Sequence, residues 1–248
     1  MRYRYGDRAK VVPSDNKESN KAAVIVETRD NFWLPMVLRN FVRVLSGWNF
    51  YFIGPRNLIN KVNAVVGGHW NYINMNFPSE VDSNRLSIPA YNRLLLGGYT
   101  LDSGKILWEH IKEEHIMIFQ TDCICFRQPS EEQLSWDYIG AGCGKDRDEK
   151  TFVMNGGLSL RKRSAMMKVC SELSEDQKSG ETNEDVVFTD HLRSQGYNIP
   201  ELSHCLKFSV ETHGDAGTAV GLHGTEKYWI NDEDMHNIMN YARERIRL

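Results

Sequence analysis

Four places in the sequence combine side chains that could handle a charged ligand. Asp122 closes the apolar run His115-Ile116-Met117-Ile118-Phe119, reached through Gln120 and Thr121. A carboxylate at the C-terminal end of a central strand lies where open α/β sheets bind ligands. Hard cations such as Mg²⁺ and Mn²⁺ take oxygen donors and bridge to phosphates, so an Asp there could hold one against a diphosphate. Asp122 also fits a turn or a helix N-cap. Asn155-Gly156-Gly157 offers adjacent glycines, which permit unusual φ and close approach of the backbone to a ligand. A turn there could present N–H groups to a sugar or phosphate; tight turns use the same pair for shape alone. Glu184-Asp185 follows Asn183 at the start of a helical pattern. Acidic residues there stabilise the helix through capping and the macrodipole, or one of them acts as a general base on a hydroxyl. His223 lies in Gly221-Leu222-His223-Gly224, ahead of Lys227. It suits a metal ligand or phosphate contact, with Lys227 as a phosphate partner, and equally an ordinary surface loop.

The elements that must position these residues follow from apolar patterning. Ala22-Ala23-Val24-Ile25-Val26 reads as a fully buried strand, breaking into the polar turn Glu27-Thr28-Arg29-Asp30-Asn31. Leu34, Val37, Leu38, Phe41, Val42 and Leu45 recur at helical spacing. Asn49 to Ile53, ending at Gly54-Pro55, is a second strand, and strand–helix–strand opens a parallel α/β sheet. Leu58 to Val66 is read as a helix followed by a strand, Ser79 to Arg85 as a loop, and Pro89 to Leu96 as a helix with Pro89 in its first turn. A helical turn is expected over 106–111, a strong buried strand over 115–119, and helices over 164–173 and 185–192. Ser174 to Asn183 reads as a mobile polar loop, Lys207 to Glu211 as a late strand, and the segment from about Asp232 as a final helix. The expected organisation is a polar arm over 1–20, one domain over 21–230 and a C-terminal helix over 231–248.

Composition narrows the class. The chain has 248 residues, 41% hydrophobic and 25% charged, with net charge -3, as in an ordinary globular domain. No dominant basic patch points to nucleic acid. Arg161-Lys162-Arg163 and the tail Arg243, Arg245 and Arg247 read as solvated helix faces. The five cysteines, an odd number without a dense framework, suit reduced thiols in a cytoplasmic setting. Cys123 and Cys125 share one strand face, but a zinc site would want a second pair or neighbouring histidines, so metal ligation by cysteine is not expected. The first twenty residues lack the apolar core of a signal peptide, and no run is long enough to span a bilayer.

The order of the motifs resembles a family of GT-A-like domains found in glycosyltransferase-related proteins and catalogued largely as a domain of unknown function. The matching residues are Ala23-Val24-Ile25-Val26-Glu27-Thr28-Arg29, Leu34-Pro35 with Leu38-Arg39-Asn40-Phe41, Tyr91-Asn92, Ile118-Phe119-Gln120-Thr121-Asp122 and Asp137-Tyr138-Ile139-Gly140-Ala141. Asn155-Gly156-Gly157-Leu158-Ser159-Leu160-Arg161, Glu184-Asp185-Val186, Lys207-Phe208-Ser209-Val210-Glu211 and Gly221 with His223 complete it. The resemblance implies a mixed, mostly parallel α/β sheet flanked by helices. It further implies a glycosyltransferase that moves a sugar from a nucleoside-diphosphate sugar, a UDP-sugar by default, to a glycan or glycoconjugate hydroxyl. Glu27, Thr28, Arg29, Asn92, Gln120, Thr121, Asp122 and Lys227 would then face the donor, and Asn155, Gly156 and Gly157 the acceptor. Asp122 and His223 would hold Mn²⁺ or Mg²⁺, and Asp185 beside Glu184 would be the base of an inverting displacement. The sequence departs from the usual Asp-x-Asp metal motif, because Gln120 stands in the first acidic place. That departure favours the alternative, a non-catalytic protein that binds a nucleotide sugar or carbohydrate on the same fold. A nucleotidyltransferase is disfavoured, since Glu27-Thr28-Arg29-Asp30 lacks the glycines of a phosphate loop.

Overall fold

The computed structural model describes residues 13, 15–31, 33–75, 86–101, 104–143, 152–211 and 217–224. In chain order the elements are β1 (Lys21–Val26), α1 (Leu34–Val44), β2 (Asn49–Gly54), α2 (Arg56–Val66), β3 (Asn71–Asn74), α3 (Ile88–Leu95), α4 (Leu107–His110) and β4 (His115–Phe119). There follow β5 (Ile124–Cys125), α5 (Glu131–Ser135), β6 (Tyr138–Cys143), β7 (Val153–Lys162), α6 (Arg163–Glu172) and a 3₁₀ turn at Gln177–Ser179. The last are α7 (Glu184–Ser194), α8 (Leu202–Phe208), β8 (Ser209–Val210) and β9 (Gly221–Leu222).

Six strands form one sheet in the order β3-β2-β1-β4-β7-β6. The first four run parallel, β7 runs against β4, and β6 runs against β7. This is the mixed, mostly parallel α/β sheet flanked by helices that the sequence predicts. Crossovers place β1 and β4, the two most continuously apolar strands, side by side at the centre, where Ala22 to Ile25 and Ile116 to Phe119 have no exposed surface. Strands buried on both faces need such unbroken apolar runs. Helix α1 lays Leu34, Val37, Leu38 and Phe41 on the sheet, and the Phe41 ring stacks on Phe119 with centroids 3.9 Å apart. Asn40 on the same helix is buried because it substitutes for a strand partner. Its Nδ2 donates to the Cys125 carbonyl at 3.0 Å, and its Oδ1 accepts from the Cys125 amide at 2.7 Å.

A second sheet of order β5-β9-β8 continues from the end of β4. Its strands are only two residues long. Their pairing carries Glu211 and His223, each one residue past a strand, back toward the turn that follows β4.

Several expectations change. Residues 56–66 form one helix, and the next strand begins only at Asn71. The expected strand at 207–211 is instead the end of α8, because Leu202, Cys205 and Phe208 bury one helical face, and only Ser209–Val210 is extended. The polar segment 174–183 is largely exposed, as a loop should be, but it contains the 3₁₀ turn and is anchored at buried Gly180, whose carbonyl accepts from Asn92 Nδ2 at 3.1 Å. Asn155-Gly156-Gly157 is no tight turn but part of β7. Gly140 pairs with Ser159 and Ala141 with Asn155, so residues 156–158 bulge out of register. The loop over 79–85, the final helix, the tail arginines, Lys227 and most of the N-terminal arm lie outside the described residues. Among the described residues no helix is long and apolar enough to cross a membrane.

Candidate functional site

The site forms at the C-terminal ends of β1 and β4, where two neighbouring parallel strands each release a polar turn. After β1, Glu27 is buried and shapes its own loop. Its Oε1 accepts from the backbone N–H groups of Thr28 (2.9 Å) and Arg29 (2.7 Å), and the Arg29 guanidinium closes on both carboxylate oxygens at 3.0 Å. Thr121 Oγ1, from the turn after β4, donates to Glu27 Oε2 at 3.4 Å and accepts from Asn31 Nδ2 at 3.3 Å. Thr28 Oγ1 accepts from the Leu86 amide at 2.8 Å, tying the approach to α3 to the same loop. Glu27 therefore organises the loop, and Arg29, with its side chain half-exposed, is the part of it that faces outward.

After β4 the turn presents Asp122 toward His223. Nε2 of His223 lies 3.7 Å from Asp122 Oδ1 and 3.3 Å from Gln120 Oε1, while Nδ1 lies 3.5 Å from Glu211 Oε1. The imidazole is 3% exposed, yet Nδ1 makes no hydrogen bond. Cys123, also buried, brings a sulfur to the group: Asp122, Cys123 and His223 each offer a donor atom, all within 4.8 Å of one another.

The β7 bulge joins this cluster to a second one. A Cβ at Gly157 would run into the His223 ring, and a Cβ at Gly156 would run into Glu184 and Arg161. Neither glycine has a positive φ, so close approach rather than backbone freedom requires them. The Gly157 amide donates to Asn155 Oδ1 at 2.8 Å, and Asn155 Nδ2 reaches Glu211 Oε1 at 3.4 Å. The Gly156 amide donates to Asp185 Oδ2 at 3.3 Å. Consecutive backbone positions thus touch the imidazole on one side and the α7 carboxylate on the other.

Glu184 and Asp185 divide the work that the sequence left open between them. Glu184 pairs with Arg161 through two hydrogen bonds, 2.8 and 3.0 Å, both side chains being buried. Arg161 Nε donates to Ser159 Oγ at 3.0 Å, and the guanidinium sits among Trp108, Tyr138 and Phe188 at 5.8, 4.7 and 5.3 Å. Burial, the largest single influence, opposes its charge, but Glu184 together with Tyr138 and Tyr91 outweighs it and the pKa is raised. Arg161 is therefore an internal clamp, not part of a solvated basic face, and this corrects the reading of Arg161-Lys162-Arg163. Asp185 is different. Burial first and the charge of Glu184 second push its pKa up to about 6, against the pull of the Gly156 and Val186 amides and of Arg161. A carboxylate so raised is suited to exchange protons near neutral pH.

Asn92 sits one shell back, bonding Gly180 and Asn183 ahead of α7. Three participants escaped the site expectations: Cys123, Glu211 and Arg161. The signal for Arg161 is the alternation Leu158-Ser159-Leu160-Arg161, which gives the two polar side chains one strand face in the middle of a sheet. Asp122 and His223 fit a divalent cation: an oxygen and a nitrogen donor stand together, and the orphaned Nδ1 with Glu211 behind it could take the orienting hydrogen bond typical of ligating histidines.

A family model described as "Protein of unknown function (DUF5672)" matches residues 75–223. No curated protein matches. Among solved structures, glycosyltransferase GlyE of Streptococcus pneumoniae TIGR4 is similar in its apo form at a TM-score of 0.49 and 11% identity, over 90% of this chain and 60% of that one. A second GlyE structure matches at 0.49 and 12%, over 89% and 59%. The chain thus spans about 60% of those proteins. A 4-diphosphocytidyl-2C-methyl-D-erythritol synthase from Anaerococcus prevotii DSM 20548 matches at 0.40 and 12%, over 90% and 96%. At TM-scores of 0.49 and below these likenesses carry no chemistry across.

Proposed function

This chain belongs to the DUF5672 family, and from that premise we propose that it is a glycosyltransferase using a nucleoside-diphosphate sugar, with UDP-sugars favoured, and a glycan or glycoconjugate hydroxyl as acceptor. The observation that carries the reading is the β7 bulge, whose Gly156 amide binds Asp185 while Gly157 abuts His223. It brings Asp122 with His223 to one side of a strand segment and Asp185 to the other, which supports reading the first pair as a metal holder and the last as a proton acceptor.

In this reading Arg29, Thr28 and Thr121 face the donor, with Glu27 holding their loop. Asp122 and His223 would hold Mn²⁺ or Mg²⁺. The cation, when bound, offsets charge on the diphosphate of donor and leaving group. Lys227 adds a positive charge from the sequence beyond His223. Asn155 and the bulge lie on the acceptor side. Asp185 takes the proton from the acceptor hydroxyl as its oxygen attacks the anomeric carbon and the bond from that carbon to the nucleoside diphosphate breaks on the opposite face, in an inverting displacement. Glu184, committed to Arg161, positions α7 and the neighbouring base.

Gln120 supports a second reading. Its Oε1 lies 3.3 Å from His223 Nε2, the nitrogen a metal would need, as suits a binding protein without turnover. Calorimetry with UDP, GDP, CDP and dTDP, each with Mn²⁺, Mg²⁺ or EDTA, separates the cases. Metal-dependent binding of one nucleotide, lost in Asp122→Ala and accompanied by slow donor hydrolysis, is expected. Nucleotide binding with no donor turnover supports the second reading, and no binding at all overturns both.

A further inference from the structure

The turn after β4 carries a donor that a magnesium–diphosphate site does not use. Cys123 is 1% exposed, accepts a hydrogen bond from the Gln120 amide at 3.3 Å, and donates its own to the Gly157 carbonyl at 3.2 Å. Its sulfur, an Asp122 oxygen and a His223 nitrogen lie within 4.8 Å of one another, and this is the one such grouping among the described residues. We propose that Asp122, Cys123 and His223 form an oxygen–sulfur–nitrogen site for a borderline divalent cation, zinc, which competes with the hard ion of the transfer reaction.

Softness decides the choice. Thiolate sulfur selects zinc over magnesium and manganese, which prefer oxygen. Zinc bound by three protein donors with a fourth position open is a standard arrangement, with bonds of roughly 2.0 Å to nitrogen or oxygen and 2.3 Å to sulfur. A nitrogen and an oxygen on such a tetrahedron stand about 3.3 Å apart and a sulfur about 3.5 Å from either; the His223–Asp122 pair, at 3.7 Å, needs only a small closing movement to reach it. Glu211, 3.5 Å behind Nδ1, is placed to hold the ring with Nε2 toward the ion. The Gln120 N–H aimed at the sulfur favours the thiolate, while burial and the Asp122 charge hold the thiol protonated until an ion replaces the proton. As the zinc–sulfur bond forms, the thiol proton is released to solvent. The zinc site rests on this geometry alone; its competition with a nucleotide-bridging ion rests on the transferase reading, because both ions need Asp122 and His223.

Cobalt(II) reports the site without any assay of activity. Titrated into the full chain, it should give tetrahedral visible bands and a near-ultraviolet thiolate-to-cobalt charge-transfer band, both erased by one equivalent of zinc. Cys123→Ser should abolish that band, Asp122→Asn should move its appearance to higher cobalt concentration, and both should weaken zinc at least about tenfold, whereas Cys170→Ser, removing a thiol elsewhere, should leave band and affinity unchanged. No charge-transfer band in the wild type, or a band that survives Cys123→Ser, overturns the proposal. The nucleotide panel is run on the same wild-type protein. If no nucleotide binds, the transferase reading fails while the cobalt spectrum still decides the zinc site. If a manganese–nucleotide complex binds and zinc leaves it untouched, the competition fails.

Discussion

The two sides of the β7 bulge are built on opposite terms. On the α7 side, Arg161 and Glu184 meet at 2.8 and 3.0 Å, Ser159 and the Gly156 carbonyl accept from the guanidinium as well, and three aromatic rings surround it. On the β4 side, the contacts among Asp122, His223, Gln120 and Glu211 run from 3.3 to 3.7 Å, and a buried ring nitrogen makes no hydrogen bond. Buried polar groups are costly when unsatisfied, so a fold that saturates one cluster and leaves its neighbour slack separates holding from receiving. The first fixes where α7 and Asp185 stand. The second, in the proposed reading, is where a ligand would be held.

Breaking the saturated side should have the largest effect. Arg161→Met or Glu184→Gln alone leaves a buried charge without its partner, and urea unfolding should show a loss of roughly 3–5 kcal/mol. The double variant should lose less than the sum of the singles. A single-variant loss close to zero would break the comparison, since it would mean that the clamp is not one.

The adjacent glycines sharpen it next. Gly156→Ala drives a methyl group into Glu184 and Arg161, and Gly157→Ala drives one into His223. Overpacking costs about 1–3 kcal/mol. The Gly156 variant should therefore lose more stability, and the Gly157 variant more metal-dependent nucleotide binding. Equal effects on both measurements would show that the two clusters act as one.

How much of this could be read beforehand depends on the length over which a pattern repeats. β1, α1 and β4 announce themselves because five or more residues follow one period, and the core uses nearly all of them. Asp122, Gly156, Gly157, Asp185 and His223 could be picked out by residue type and by position after such elements. Arg161 is harder: beside Lys162 and Arg163 it looks like a solvated run, and only the alternation with Leu158, Ser159 and Leu160 on a central strand marks it as pointing inward. Glu211 and the short second sheet were equally hidden, because two-residue strands have no period to detect. Cys123 needed His223 from 100 positions away, a proximity that only the pairing of β5 with β9 creates.

A smaller effect belongs to Asp185, on the boundary between the two sides. Its pKa is raised from 3.8 to about 6 in the folded chain. The fold therefore favours the protonated acid, and the stability this contributes is complete below about pH 4 and lost as pH rises through about 6. Asp185→Asn should flatten that part of the stability–pH curve. In the transfer assay the wild type should lose about tenfold in rate per pH unit below pH 6 if Asp185 is the base, and Asp185→Asn should be nearly inactive at every pH. Full activity in that variant would remove Asp185 from the chemistry.

The smallest effect on stability is expected where the bonding is slack. Glu211→Gln keeps the shape of the side chain facing His223 Nδ1 and removes its charge. With that contact at 3.5 Å, and with the glutamine oxygen able to keep accepting from Asn155 Nδ2 at 3.4 Å, unfolding should change by less than about 1 kcal/mol. Metal affinity should nonetheless fall about tenfold or more, because a carboxylate behind a ligating imidazole sets its tautomer and raises its basicity. Calorimetry of Mn²⁺ with nucleotide, paired with urea unfolding of the same sample, measures both. A variant that loses stability while keeping its metal would invert the comparison, making the β4 side the structural one and leaving the clamp around Arg161 as the place to look for a ligand.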